Sequence, residues 1–115
     1  MINWYEVLED ALHYAGSTHT VEDVLDEVER GDAQIWTSDD AVIVSEIYDY
    51  PEATVLHYWL AGGELQGVIE LGRKVLAWGA EQGCTRASLN GRRGWAKALA
   101  AEQFVPETVI FTRDI

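Results

Sequence analysis

Residues 54–89 read TVLHYWLAGGELQGVIELGRKVLAWGAEQGCTRASL. The stretch begins with β-branched and aromatic residues, passes through adjacent glycines at 62 and 63, and then repeats apolar residues at three- and four-residue steps. These changes of period predict three successive elements: a strand at 53–60, a helix at 65–80 that Gly83 ends, and a strand at 85–89. A strand–helix–strand crossover within one sheet is right-handed and joins parallel strands.

Upstream of this unit, the sequence predicts two amphipathic helices followed by two more strands. Apolar residues recur at helical spacing from Trp4 to Ala15, where Gly16 interrupts the pattern. Thr20 precedes Asp23 by three residues, a variant of the capping box, and Gly31 suits the C-terminal cap of the helix that follows. The predicted strands are 33–37 and 41–48, and short links to strand 53–60 make the three an antiparallel meander.

Downstream, Asn90 or Gly91 is expected to cap a helix that runs to about Glu102. Pro106 then opens a predicted final strand at 107–112. The fold class is therefore α+β, with a mixed sheet, about four helices and a single domain over residues 1–115.

The charge of the chain is divided unevenly along the sequence. The total is −12, but residues 1–64 hold 15 acidic residues and one basic residue, or −14, while residues 65–115 hold five acidic and seven basic residues, or +2. A field of this sign repels phosphate-rich polymers, so direct nucleic-acid binding is not expected, and it attracts a basic protein partner. The alternative interpretation is that the acids keep a small protein soluble.

Other features of the composition restrict the functional class. With one cysteine, Cys84, the chain forms no internal disulfide. No apolar run approaches the about 20 residues of a membrane helix, and no basic run followed by an apolar stretch marks a secretion signal. His13 and His19 have no third ligand nearby in sequence, so no metal site is expected.

The second half resembles the GNAT (N-acetyltransferase) superfamily. Residues 75–84, VLAWGAEQGC, are similar to the end of the long GNAT helix, and residues 89–90, LN, are similar to the next strand and its Asn. Residues 95–104, WAKALAAEQF, are similar to the following helix and its terminal Phe. The element order of the whole chain resembles the same fold without its usual first strand.

The resemblance implies a position for the cofactor. GNAT enzymes bind the acetyl-CoA pyrophosphate on backbone N–H groups of a glycine-containing loop at a helix start. Here that loop falls on Gly62, Gly63, Gln66 and Gly67, with Asn90 on the next strand, but Glu64 adds a negative charge. The family's general-acid position falls on Leu99, which transfers no proton. We therefore expect no cofactor, and acetyl-CoA if the protein is active.

Three residues are candidates for catalysis: Glu46 or His57 as the base, and Tyr58 to assist product release. His57 and Tyr58 lie on the strand that borders the cleft in GNAT folds, and alternation places them on opposite faces. Glu46 is a candidate base on the neighbouring strand. The alternatives are a structural or half-exposed histidine at 57 and a solvent-exposed turn acid at 46.

A second set of residues is a candidate partner surface: Trp59, Arg92, Arg93 and Trp95. Arginines at a helix start can bind a phosphate or a carboxylate. They can equally pair with the acidic first half of the chain. The tryptophans are core anchors or partner contacts.

Two hypotheses follow for function. The favoured one is a non-catalytic GNAT-like protein that binds a protein partner and can form oligomers. Residues 59–63, WLAGG, and 91–95, GRRGW, are similar to small GNAT-like proteins of tailed phages, which implies a virion component or an inhibitor of a host nucleic-acid-binding protein, located in the host cytoplasm or the virion. The alternative is a small acyl-CoA-dependent N-acetyltransferase that acts on an amine.

Overall fold

The computed structural model describes all 115 residues. The elements in chain order are α1 (Trp4–Tyr14), α2 (Val21–Arg30), β1 (Gln34–Thr37), β2 (Ala41–Tyr50), β3 (Ala53–Gly63), α3 (Leu65–Glu81), β4 (Arg86–Leu89), a single 3-10 turn (Arg93–Trp95) and α4 (Ala96–Ala101). The strands form one sheet in the order β1-β2-β3-β4. The first three strands are antiparallel, and β3 and β4 are parallel, which confirms the predicted meander and crossover.

The first two helices begin and end where local capping chemistry favours it. The side chain of Asn3 accepts a hydrogen bond from the Glu6 N–H at the start of α1. At α2, the Thr20 hydroxyl accepts from the Asp23 N–H while the Asp23 carboxylate accepts from the Thr20 N–H, so the predicted capping box is present. Gly31 ends α2 with φ +84°, a left-handed conformation that suits glycine.

The helices cover both faces of the sheet, and each face has its own core. On one face, α1 and α2 pack against even-numbered residues of β2, and the buried cluster is Leu8, Ala11, Leu12, Val21, Val24, Ala33, Val42, Val44 and Leu60. On the other face, α3 packs against odd-numbered residues of β2 and even-numbered residues of β3, and the buried cluster is Ala41, Ile43, Leu56, Tyr58, Leu71 and Val75. Strands buried on both faces need continuous apolar runs, which residues 41–44 provide.

One polar side chain is fully buried within the α3 face. Ser45 accepts a hydrogen bond from the Trp36 indole at 2.9 Å and donates one to the Gln34 side chain at 2.9 Å. This chain of bonds joins β1 to β2, and it satisfies a hydroxyl that would otherwise cost free energy in the core.

Two expectations for the C-terminal part are wrong. Residues 107–112 form no strand, because a segment with strand propensity becomes a strand only where a neighbour supplies hydrogen bonds, and none lies alongside it. Neither Asn90 nor Gly91 caps a helix. The chain makes the 3-10 turn first, and α4 starts at Ala96 without a side-chain cap. No helix in the structure combines the length and apolar character that crossing a membrane requires.

Candidate functional site

A bulge in β3 sets the geometry of the site. Val44 pairs with Leu60 and Ser45 pairs with Tyr58, so Trp59 has no partner on β2. The β3–β4 pairing ends at this level, where Tyr58 pairs with Leu89. β3 continues to Gly63 while β4 stops, so the two strands separate beyond Tyr58 and leave a cleft between them.

The cleft holds a cavity of about 510 Å³. It lies between β3, α3, the segment after β4 and the C-terminal end of α1, and 17 of its 24 lining residues are hydrophobic. The predicted residues that line it are Tyr58, Trp59, Asn90, Arg92, Arg93, Trp95 and Leu99. The structure therefore brings the partner-surface candidates together around one cavity whose interior suits an apolar group.

Tyr58 lines the cavity, but its hydroxyl is already engaged. It donates a hydrogen bond to the backbone carbonyl of Gly72 in α3 at 2.8 Å. Burial raises the pKa of Tyr58 to about 12, so the phenol stays protonated at neutral pH. The ring packs edge-on against Phe104, with centroids 6.1 Å apart. These contacts favour a structural role for Tyr58, as a link between β3 and α3.

Glu46 and His57 do not line the cavity, and they lie on the face of the sheet opposite α3. They are register partners on β2 and β3, on the side that α1 and α2 cover. The expectation that Glu46 is a solvent-exposed turn acid is wrong, because it lies inside β2, half-buried, and burial raises the pKa of its carboxyl. The sequence pattern already placed Glu46 within a strand. That His57 is its cross-strand partner is shown only by the register of β2 and β3.

His57 is held by β4. Its Nδ1 lies 2.8 Å from the hydroxyl of Ser88, which pairs with it in the parallel ladder. Burial lowers the pKa of His57, so the neutral imidazole is the dominant form at neutral pH. A neutral imidazole can accept a proton, but this one does not line the cavity.

The glycines predicted to bind the cofactor are explained by close packing within the chain. A Cβ at Gly62 would overlap the side chain of Val7 in α1, and a Cβ at Gly63 would overlap the carbonyl oxygen of Asp40. A Cβ at Gly67 would lie 2.8 Å from the Cβ of Asp40. Small residues are required here because α1 and the β1–β2 turn approach the loop closely.

The start of α3 retains part of its capacity to bind an anion. The Glu64 N–H donates to the Asp40 carbonyl at 2.9 Å, and the Glu64 side chain makes no capping hydrogen bond. The N–H groups of Leu65, Gln66 and Gly67, as the first residues of the helix, have no acceptor within it. The side chain of Gln66 turns to Glu70, at 3.4 Å, and lines neither the main cavity nor the smaller one beside it.

Arg92 lies across the cleft and stacks on aromatic rings. Its guanidinium carbon is 3.8 Å from the ring centroid of Tyr14 in α1 and 5.3 Å from that of Trp95. It lines both the main cavity and the second one, of about 290 Å³, which reaches Gly62 and Gly63. Arg92 therefore contacts the first half of the chain through the ring of Tyr14. The alternative that it pairs with an acidic residue of that half is wrong, since it forms no ion pair.

The sequence analysis missed a pair at the cavity wall. Arg73 of α3 and Glu102, which directly follows α4, both line the cavity and form a two-bond ion pair, with distances of 2.8 and 3.0 Å. The sequence could have indicated that this side of α3 borders a cavity. Ile69, Gly72 and Leu76 recur at helical spacing and form a second apolar stripe beside the one that faces the core. Arg73 interrupts that stripe.

The acidic side chains of α1 and α2 have no cationic partners in the chain. The ion pairs of the structure are Arg30 with Asp32 and Arg73 with Glu102. The exposed acids of the two helices are Glu6, Glu9, Asp10, Glu22, Asp23, Asp26 and Glu29, hereafter the acidic face. No group of three or more His, Cys, Asp or Glu side chains is arranged to hold a metal ion.

Solved structures with the same fold include proteins named as acetyltransferases. A putative acetyl transferase from Pyrococcus furiosus matches with a TM-score of 0.67 and 12% identity, over 96% of this chain and 92% of that one. An acetyltransferase of Trypanosoma brucei gives a TM-score of 0.67 and 10% identity, over 100% and 97%. A protein from Thermus thermophilus gives 0.62 and 16%, over 93% and 89%.

These likenesses establish the fold. The chain has a GNAT-like acetyltransferase fold, as the element order and the residues of its second half predicted. No family model matches the chain, and no curated protein matches it in sequence.

Proposed function

We propose that this chain uses the acetyltransferase fold as a binding scaffold and transfers no acyl group. The observation that carries this proposal is the packing of the loop before α3. Its glycines lie against Val7 and Asp40, so their small size serves contacts within the chain. Asp40 also takes the Glu64 N–H, which removes one donor from the set a pyrophosphate would use.

Two of the groups in the cavity wall that could transfer a proton are already engaged. The Tyr58 hydroxyl is bonded to Gly72, and the Glu102 carboxylate is paired with Arg73. Leu99 stands at the family's general-acid position and has no proton to give. An amine acceptor must lose a proton to attack a thioester, so a cavity with these side chains favours binding over turnover.

The partner that fits the acidic face is a protein with a basic surface. Carboxylates without cationic partners are not neutralised within the chain, so their field attracts cations and repels nucleic acid. In a phage setting, such a protein would be a virion component or would occupy the nucleic-acid site of a host protein. That setting comes from the resemblance of residues 59–63 and 91–95 and remains a prediction.

A lysine-rich peptide is a suitable probe for the acidic face. We expect saturable binding that weakens with added salt, because the attraction is between exposed charges. Asp26→Asn with Glu29→Gln should weaken binding, whereas Glu70→Gln with Glu81→Gln removes the same charge from the other half as a control. Equal weakening by both pairs would show a response to net charge alone and would remove the argument for a defined face.

An acyl-CoA-dependent N-acetyltransferase is the second candidate. It is supported by the uncapped start of α3, where three N–H groups have no helical acceptor and Leu65, which carries one of them, lines both cavities together with Arg92. In this case Glu46 or the neutral His57 would act as base from the face of the sheet that α1 and α2 cover. An amine would be attracted by the acidic first half.

Turnover distinguishes the two candidates. The protein with Cys84→Ser, which removes its own thiol, is incubated with acetyl-CoA and a set of primary amines and polyamines while free CoA is measured. The binding proposal expects no release above the rate without protein. Release that depends on the protein, and that Glu46→Gln or His57→Gln abolishes, would establish the enzyme instead.

A further inference from the structure

The C-terminal segment has the pattern of a strand but no strand partner. Residues 105–115 take part in no backbone hydrogen bond. Val109, Ile110 and Phe111 are 72%, 67% and 92% exposed. Along an extended chain, Val109 and Phe111 point to one side, while Ile110 points to the other between two threonines. This alternation is typical of a strand at the edge of a sheet, with Val109 and Phe111 on the side that faces a core.

The sheet offers one edge that matches this segment. β4 is the last strand in the sheet order and pairs only with β3, so its outer N–H and C=O groups are unpaired. Ala87 and Leu89 of β4 pack against the core on the α3 face. Arg86 and Ser88 alternate with them and lie on the other face.

We propose that residues 108–112 of one chain add to the β4 edge of a second copy of this chain. In the single chain the segment does not lie on its own β4, and both the segment and the edge are left unpaired. Two copies related by a twofold axis satisfy both segments and both edges at once, because each copy gives one strand and receives one.

An antiparallel register fits both faces. Phe111 stands beside Ala87 and Val109 beside Leu89, so a large residue meets a small one and the core on the α3 face is extended. Thr112 then stands beside Arg86 on the polar side. Shifting the register by one residue would turn Phe111 away from the core.

The charge distribution favours this surface for self-association. Two chains of −12 repel each other, and the repulsion is smallest where the acids are fewest. Both β4 and the C-terminal segment belong to residues 65–115, which carry +2. In the register above, Asp114 lies diagonally across from Arg86, so the remaining charges near the contact attract. Added salt should therefore strengthen the association by screening the long-range repulsion.

Sedimentation velocity over a range of protein concentrations tests for the dimer. We expect the wild-type chain to reach a two-chain species and Phe111→Ser to sediment as a monomer. Val105→Ser is the matched control, since Val105 is also 72% exposed but precedes the proposed strand. It should dimerise like the wild type. A wild-type monomer at every concentration, or a dimer that Phe111→Ser leaves intact, would overturn the proposal.

A disulfide cross-link tests the register and distinguishes pairing between two chains from pairing within one chain. Arg86→Cys with Thr112→Cys, in a chain where Cys84→Ser removes the native thiol, is oxidised and run on a denaturing gel without reductant. The proposal expects a band at twice the 12.9 kDa chain mass. A band at the single-chain mass with both thiols consumed would mean that the segment pairs with its own β4, and free thiols would mean that it does not pair there. Either result contradicts the proposed exchange.

Discussion

The two ends of the molecule differ in how far they are buried. All of the buried residues, including every member of both core clusters, precede Ala80, and no residue from Ala80 to Ile115 is buried. Yet the later part supplies Asn90, Arg92, Trp95 and Leu99 to the cavity wall. The first 79 residues thus form the stable scaffold, while the last 36 are arranged around open surfaces.

With the binding roles proposed above, this difference predicts that stability and binding depend on separate parts of the chain. Local stability follows burial and hydrogen bonding, so segments with few buried contacts open first. Substitutions before residue 80 should mainly change the free energy of unfolding. Substitutions after it should mainly change what the cavity and the β4 edge bind.

The largest difference in unfolding free energy is expected between two leucine-to-alanine variants, one on each side of residue 80. Leu56 is 1% exposed in β3, whereas Leu99 is only half-buried at the cavity wall. Leu56→Ala should lower the free energy of unfolding by about 2–5 kcal/mol, because it leaves a void in close-packed surroundings. Leu99→Ala should cost clearly less, since its side chain already borders open space. Urea unfolding of both variants measures the difference, and equal losses would contradict a division at residue 80.

Glycines provide the next contrast. Gly63 has φ +116°, and an added Cβ would meet Asp40 and lie 2.8 Å from the Cα of Ala41. Gly63→Ala should lower the free energy of unfolding by about 1–3 kcal/mol through backbone strain and overlap. Gly94 has no neighbour within 4 Å of such a Cβ, so Gly94→Ala should stay within about 0.5 kcal/mol of wild type. A neutral Gly63→Ala would show that the loop is free to move away from Asp40.

Two serines sharpen the comparison further. Ser45→Ala leaves the Trp36 indole and the Gln34 side chain without their shared partner in the core, which should cost about 1–3 kcal/mol. Ser88→Ala removes the hydroxyl that holds His57, at a half-buried position in β4. It should cost about 0.5–1.5 kcal/mol. Thermal unfolding of both variants tests the order, and a larger loss for Ser88→Ala would reverse it.

The smallest expected effect is a pH dependence from His57. Burial lowers its pKa in the folded chain below the unfolded value of about 6.5. The unfolded state therefore binds the proton more readily, so stability is fully present above about pH 6.5 and is lost as pH falls through the folded pKa. Wild type should lose more unfolding free energy than His57→Gln between about pH 7.5 and about pH 5.

The comparison with His57→Gln also removes the contribution of its register partner. Burial raises the pKa of Glu46, which favours the folded state as pH falls, and this occurs in both proteins. The difference between the two pH profiles is then due to the imidazole. Parallel profiles would mean that His57 is as well solvated in the folded chain as in the unfolded one.

Local signals predicted most of the scaffold. The capping box at Thr20, the αL cap at Gly31 and the crossover around α3 all follow from residues close in sequence, and the structure has each of them. The strand at 107–112 failed for the opposite reason. Residues 107–112 do have the composition of a strand, but a strand also requires a neighbouring strand edge to pair with. The local sequence does not specify where that edge lies.

The site was less predictable because it depends on contacts between distant residues. The sequence associated Gly62, Gly63 and Gly67 with a cofactor, whereas the structure packs them against Val7 and Asp40. The cavity itself depends on the bulge at Trp59, and strand alternation gives no sign of a bulge.

Calorimetric titration with acetyl-CoA, repeated with free CoA, tests the central claim most directly. The claim is that the chain keeps the acetyltransferase fold while its own packing occupies the loop before α3. It predicts no saturable heat at millimolar cofactor. Saturable binding in the micromolar range, equivalent to about −8 kcal/mol, would contradict the claim and show that the start of α3 still holds the cofactor.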